Sequence, residues 1–306
     1  MSSTDFFPST TIVVTDSGLG GLSVAADLEN QLRVKNNSGK FKIVFFNSLA
    51  ASDFGYNSMH SMAKKSEVFD SALNSIEKLY NPDIILIACN TLSVVYDHTQ
   101  FSKNTKIKVL GIIDLGIEMI MENIQKNPDD RVLLLGTPTT INSQSYQIKL
   151  IERGIKKENI ISQSCPLLET EIQRNPESEN VNKMINEFLT EAKKKDLINT
   201  KGIDVVLCCT HYGYSEKIFH KEVKNIFNKS YALLNPNIKM VESIIDDLKV
   251  ENSNDPEISV EVVSQVKLKT EEINSISRIL ESISPATAKA LKNYKFNEFL
   301  FNFSKD

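Results

Sequence analysis

Short apolar runs recur along the chain, and longer stretches with helical spacing separate most of them. The runs lie at 11–15, 42–46, 84–88, 107–113, 131–135, 158–162 and 204–208, and each reads as a short buried strand. Val181, Met184, Ile185, Phe188 and Leu189 fall at i, i+3, i+4, i+7 and i+8, which is one helical face. The stripe of Leu22, Ala25, Ala26 and Leu28 reads the same way. Strands alternating with helices predict an α/β fold with mostly parallel sheets covered on both sides. Ligands of such sheets bind at the carboxyl ends of the strands.

Two of the runs end in a thiol. One reads Ile84-Ile85-Leu86-Ile87-Ala88-Cys89-Asn90-Thr91, the other Val205-Val206-Leu207-Cys208-Cys209-Thr210-His211. The repetition suggests one corner built twice, in two similar α/β domains that face each other. Breaks near 113/114 and within 232–237 predict a discontinuous first domain, 10–113 plus 232–306, and a second at 114–231. The polar segment 251–257 reads as a loop. Ile258, Val260 and Val262 then alternate like an edge strand, and Ile273, Ile276, Leu280 and Ile283 suggest one helix.

Composition narrows the class. The 306 residues are 41% hydrophobic and 24% charged, as in ordinary soluble domains. A net charge of −4 gives no reason to expect nucleic acid as the main partner. No apolar run approaches the roughly 18–20 residues of a membrane span. The first ten residues lack a basic start and a long apolar stretch, so no secretory signal is expected. Four cysteines make no disulfide framework, and a reducing, cytoplasmic compartment would keep them free.

The segment Asp16-Ser17-Gly18-Leu19-Gly20-Gly21-Leu22-Ser23 follows the first strand and opens a helix. Its glycines permit either a tight structural turn or an anion site at a helix N-terminus. Asn90 and Thr91 supply neutral donors beside Cys89. His211, two residues beyond Cys209, can exchange protons with a neighbour or tune a thiol. Alternation along the strand sends Cys208 the other way, into packing. Cys165 has no acid or base beside it and also reads as packing. His60, His98 and His220 read as surface residues. Gly136-Thr137-Pro138-Thr139-Thr140 offers hydroxyls that could receive a carboxylate or cap a helix. No C-x-x-C pair supports zinc, although metal binding and a dithiol redox pair remain open readings. Two thiols in matched settings suit a reaction with two equivalent faces, such as racemisation at carbon.

Together these residues resemble the glutamate racemases of the aspartate/glutamate racemase superfamily, over about residues 12–242. The resemblance rests on 16–24, on Ala88-Cys89-Asn90-Thr91, and on Cys209-Thr210-His211-Tyr212. Also matching are 136–140 followed by Ser143 and Tyr146, and Cys165-Pro166-Leu167. It implies a cofactor-independent enzyme of two α/β domains with glutamate held between them, and a homodimer is compatible with it. By motif match, Cys89 would take the α-proton of D-glutamate and Cys209 that of L-glutamate, assisted by Asp16 and His211 respectively. Ser17, Asn90, Thr91, Thr137, Thr140 and Thr210 would hold the substrate. Such enzymes usually supply D-glutamate for peptidoglycan.

The chain departs from that pattern at 47–57, where an expected arginine and proline are missing. Phe54-Gly55 there replaces Tyr-Gly and would contact substrate. Gly213 and Asn235 are further departures. These changes keep two alternatives open: a racemase of aspartate or another small amino acid, and a ligand-binding relative without catalysis.

Overall fold

The computed structural model describes residues 9–35, 39–195, 201–248 and 256–305. The chain opens with β1 (Ser9–Asp16), α1 (Leu22–Val34), β2 (Lys40–Asn47), α2 (Met62–Tyr80) and β3 (Ile84–Ile87). It continues through α3 (Asn90–Tyr96), α4 (Phe101–Asn104), β4 (Lys108–Gly111) and α5 (Ile112–Lys126). Then come β5 (Arg131–Gly136), α6 (Pro138–Asn142), α7 (Ser145–Glu152), β6 (Ile160–Ser164), α8 (Leu168–Arg174) and α9 (Glu179–Lys195). The last part holds β7 (Gly202–Cys208), α10 (Glu216–Phe227), β8 (Ser230–Leu234), α11 (Pro236–Asp247) and β9 (Glu257–Ser264). It ends with α12 (Thr270–Leu280), α13 (Pro285–Lys292) and β10 (Lys295–Phe296).

Among the described residues the strands form two sheets, in the orders β10-β9-β2-β1-β3-β4 and β6-β5-β7-β8. Every pairing within them is parallel. Parallel strands need crossovers, and the helices that supply them cover both faces. The central strands are therefore apolar throughout: β3 and β5 are buried at every position. Each Ile, Leu or Val buried there contributes roughly 1.5–3 kcal/mol relative to exposure. The α9 stripe lies as its spacing predicts, with Val181, Ile185 and Leu189 buried against the second sheet. No described helix is long and apolar enough to cross a membrane.

Several boundaries differ from the pattern-based expectation. The run 107–113 is a strand only to Gly111, because Ile112 and Ile113 open α5 and bury into two different cores. Residues 232–234, read as part of a polar break at 232–237, belong to β8 (Ser230–Leu234) of the second sheet. The alternating segment 258–262 is indeed a strand, but β9 lies inside the sheet, flanked by β2 and the two-residue β10. Ile283 falls beyond the end of α12. The loop expected at 251–257 lies mostly outside the described residues.

The final residues reinforce the loop that follows β2. Leu300 and Phe301 are buried in the core beneath α2 and β2. Phe303 stacks on Phe54, with ring centroids 6.1 Å apart. Lys305 pairs with Asp53 at 2.7 Å. Gln265 joins the two segments, accepting from the Phe301 amide and donating to the Ala50 carbonyl.

Candidate active site

A cavity of about 430 Å³ lies where strand ends from both sheets converge. Its walls come from residues just after β1, β2, β3 and β9 of the first sheet, and after β5, β6 and β7 of the second. Cys89, Cys209, Asp16, His211, Ser17, Gly55, Asn90, Thr91, Thr137 and Thr210 all line it.

The first corner centres on Cys89, which is 6% exposed and stands at the start of α3. Its Sγ lies 3.2 Å from the Ser17 hydroxyl. Burial pushes this thiol well up, and the Asp16 carboxylate adds to the effect. The Ser17 hydroxyl and the backbone N–H of Leu92 act in the opposite sense. They are donors placed to receive the thiolate when it forms.

The second corner centres on Cys209, also 6% exposed, directly after β7. Its Sγ is 3.9 Å from Nδ1 of His211. Burial again pushes the thiol up, followed by the negative field of Glu169, Cys89 and Asp16. His211 is buried, and burial depresses its pKa, so the ring is neutral near pH 7. Cys208 points away into the core with Tyr146, Ile117 and Val206. Cys165 is 1% exposed in the core of the second sheet. His60, His98 and His220 are exposed.

Asp16 links the corners. Its Oδ1 accepts from the Ser17 amide at 2.6 Å, and its Oδ2 accepts from the Thr210 hydroxyl at 2.7 Å. The glycine-rich turn makes this closeness feasible. A Cβ on Gly20 would sit 2.5 Å from both His211 Nδ1 and Thr210 Oγ1. At position 20 glycine is therefore required by close packing against the second corner.

Neutral donors line part of the cavity, backed by a further layer of hydroxyls. Tyr146 donates to Asn90 Oδ1 at 2.7 Å, which leaves the buried Asn90 Nδ2 without a protein partner. Thr91, Thr137 and Thr140 form a hydroxyl cluster with separations of 3.0, 3.4 and 3.1 Å. Thr137 lines the cavity and also caps α6, its hydroxyl accepting from the Thr140 amide. Thr140 stands one layer behind, outside the cavity lining. Phe54 also does not line it, because its ring turns to Phe303. Gly55 and Tyr56 form that part of the wall instead, and the Tyr56 hydroxyl is buried with no protein partner.

Sequence reasoning missed Tyr56, Glu169 and Gln173. The latter two lie on α8, which follows the Cys165-Pro166-Leu167 segment. Polar residues in a helix after a strand end were the available signal. Leu167, with φ of +62°, turns the chain into that helix. Glu169 has one buried oxygen without a protein partner, and burial raises its pKa. Its other oxygen faces Asn57 at 3.5 Å.

Two thiols at one cavity, each beside a polar partner, can exchange protons with a small ligand from two directions. Comparison with known proteins bears on this chemistry. The family model described as Asp/Glu/Hydantoin racemase matches residues 13–225. Glutamate racemase of Aquifex pyrophilus is 31% identical over 214 residues, 70% of this chain and 74% of that protein. Glutamate racemase of Aliarcobacter butzleri is 29% identical over 224 residues, 72% of this chain and 77% of that protein. The solved structure of glutamate racemase from Francisella tularensis in complex with D-glutamate shares the fold. Its TM-score is 0.66 at 22% identity, covering 90% of this chain and 95% of that one. The family match takes in strands of both sheets and both thiol corners, and the chain therefore belongs to the Asp/Glu/hydantoin racemase family of isomerases.

Proposed function

We propose that this protein interconverts L- and D-glutamate by a cofactor-independent, two-base mechanism, with Cys89 and Cys209 as the bases. The observation that carries the reading is the pair of buried thiols on one cavity, one beside Ser17 and the other beside His211. Enantiomers have equal free energy in water, so a racemase works in both directions and needs a base on each face of the α-carbon. In one direction the Cys209 thiolate removes the α-proton of L-glutamate while the Cys89 thiol protonates the opposite face. The reverse direction exchanges their states.

A free thiol has a pKa near 8.5, and burial raises both of these further, so each thiolate needs a local partner. His211 serves Cys209. Ser17 and the Leu92 amide serve the Cys89 thiolate, and Asp16, whose negative charge opposes that thiolate, assists its side as a proton acceptor. Positioned acid–base groups supply roughly 10²–10⁴ in rate. Asn90 Nδ2, Thr91 and Thr137 are the donors to substrate, and oriented donors stabilise the charge that develops on the carboxylate. Ser17 and Thr210, whose hydroxyls serve Cys89 and Asp16, contact the substrate from the two corners. Thr140 supports Thr91 and Thr137 from behind. The product would be D-glutamate for cell-wall peptidoglycan, made in a compartment that keeps thiols reduced.

The proposal includes two structural units that trap substrate between them, 10–113 plus 232–306 and 114–231. The division of strands between the sheets supports it, with the second break best moved to Asn235, after β8. A second reading rests on the loop after β2. There Phe54 faces away from the cavity while Ser52, Asp53 and Tyr56 line it, so this wall departs from the glutamate racemase pattern, and the alternative is a racemase of aspartate or another small amino acid.

The test is incubation with L-glutamate in deuterated water. D-glutamate labelled at the α-carbon is expected. A folded protein that gives neither label nor D-product overturns the reading. A panel of amino acids analysed by chiral chromatography separates glutamate from the alternative substrates.

A further inference from the structure

We infer that Gln173 is a positioning residue that holds His211 as the Nε2–H tautomer and so aims the Nδ1 lone pair at the Cys209 thiol. The inference builds on the role proposed for His211 and starts from two hydrogen bonds at one atom. The backbone N–H of Leu19 meets Gln173 Oε1 at 2.9 Å. A backbone N–H can only donate, so the atom it meets must be the amide oxygen. Turning the amide over would set an NH₂ group against that N–H. The orientation of Gln173 is therefore fixed by the glycine-rich turn after β1.

The same Oε1 lies 3.0 Å from His211 Nε2. An oxygen that can only accept requires a hydrogen on its partner, so Nε2 carries the proton. Burial keeps the ring neutral, and a neutral imidazole has one N–H. Nδ1 is then bare, and it faces Cys209 Sγ at 3.9 Å. Which ring nitrogen is free is set by the bond that the other makes.

The chemical step balances simply. The S–H bond of Cys209 breaks, its proton forms an N–H bond at Nδ1, and a thiolate and an imidazolium result. The imidazolium keeps its Nε2–H on Gln173. Reversal restores both groups with no other reactant. Were Nδ1 the protonated nitrogen, the ring could not accept this proton, and bare Nε2 would face the oxygen of Gln173.

The test is a spectroscopic one. The chain has four histidines, so selective ¹³C/¹⁵N labelling gives four ring systems. The His211 signals are assigned by their loss in His211→Gln. The wild type should show protonated Nε2 and bare Nδ1. Gln173→Leu should shift His211 toward the Nδ1–H form and lower kcat by about 10–100-fold, the scale of one positioned acid–base group. Gln173→Glu still accepts from Nε2–H and should retain that proton and recover most of the rate. Protonated Nδ1 in the neutral ring of the wild type overturns the inference. So does an unchanged tautomer in folded Gln173→Leu. If the leucine variant does not fold, the wild-type spectrum decides. The spectra need no turnover, so a protein with the stated tautomer but no racemisation would sink the proposed function and leave this inference standing.

Discussion

The Thr210 hydroxyl donates to Asp16 Oδ2 at 2.7 Å, and this bond helps join the corner that carries Cys209 to the turn beside Cys89. Both residues are essentially excluded from solvent. A hydrogen bond to a buried charged group contributes roughly 1.5–3 kcal/mol. Thr210→Val should therefore lower kcat/KM by about 10–100-fold. The loss should be equal in the two directions, because the equilibrium constant between enantiomers is one. Initial rates from each enantiomer by circular dichroism check this, and an unequal kcat/KM loss would contradict the proposed reaction.

The two thiols predict opposite defects. Cys209→Ser should lose racemisation by about 10³-fold or more and lose α-hydrogen exchange with L-glutamate while keeping some with D-glutamate. Cys89→Ser should show the reverse preference. Proton NMR of the α-position in deuterated water reads both. Near-normal turnover in either variant would remove that cysteine from the mechanism.

A third expectation concerns the last residues. Phe303 and Lys305 grip Phe54 and Asp53, whose loop forms one wall of the cavity. Phe303→Ala should loosen that wall and raise KM several-fold more than it lowers kcat. The aromatic pair is worth about 0.5–1.5 kcal/mol, which sets the scale. Steady-state kinetics with a parallel melting curve separates loosening from unfolding.

Asp204 gives a pH dependence of stability unrelated to turnover. It is fully buried on β7, with Oδ1 accepting from Asn123 at 2.7 Å and Oδ2 lacking a protein partner. Burial, reinforced by Asp130, pushes its pKa up to about 6. In the unfolded chain it titrates near 3.9. Between these values the folded state binds more protons, so stability is fully present below about pH 4 and falls as pH rises through 6. Asp204→Asn should abolish this part of the slope and stabilise the protein near pH 7 by about 1–3 kcal/mol. Urea melts at pH 4.5 and 7.5 measure the difference, and an unchanged slope would refute it.

The alternation of strand and helix was legible because the central strands of parallel sheets are apolar on both faces. β3 and β7 announce themselves in this way, together with the thiols at their ends. β8 was not legible: it lies at the edge of its sheet, and Tyr231, Ala232, Leu233 and Leu234 are only partly buried. Ile112 and Ile113 extend an apolar run that the backbone splits between strand and helix, a boundary that pattern cannot see. At the site, each corner is local in sequence and was readable. Gln173 and Glu169 reach the cavity only through the packing of α8 against the segment after Cys209, a long-range contact with no periodic signature.

The pairing of β2 with β9 has a consequence for how the chain folds during synthesis. Asn47 and Ser264 are bonded neighbours 217 positions apart, whereas β5 to β8 are contiguous between 131 and 234. The second sheet can thus be completed on the ribosome while the first waits for its last strands. Until β9 emerges, β2 offers an unpaired edge carrying Ile43, Val44, Phe45 and Phe46. Long-range parallel pairing is slow, and open apolar edges are where nascent chains aggregate. Chains that stall before about residue 257 are expected to be the species most open to aggregation.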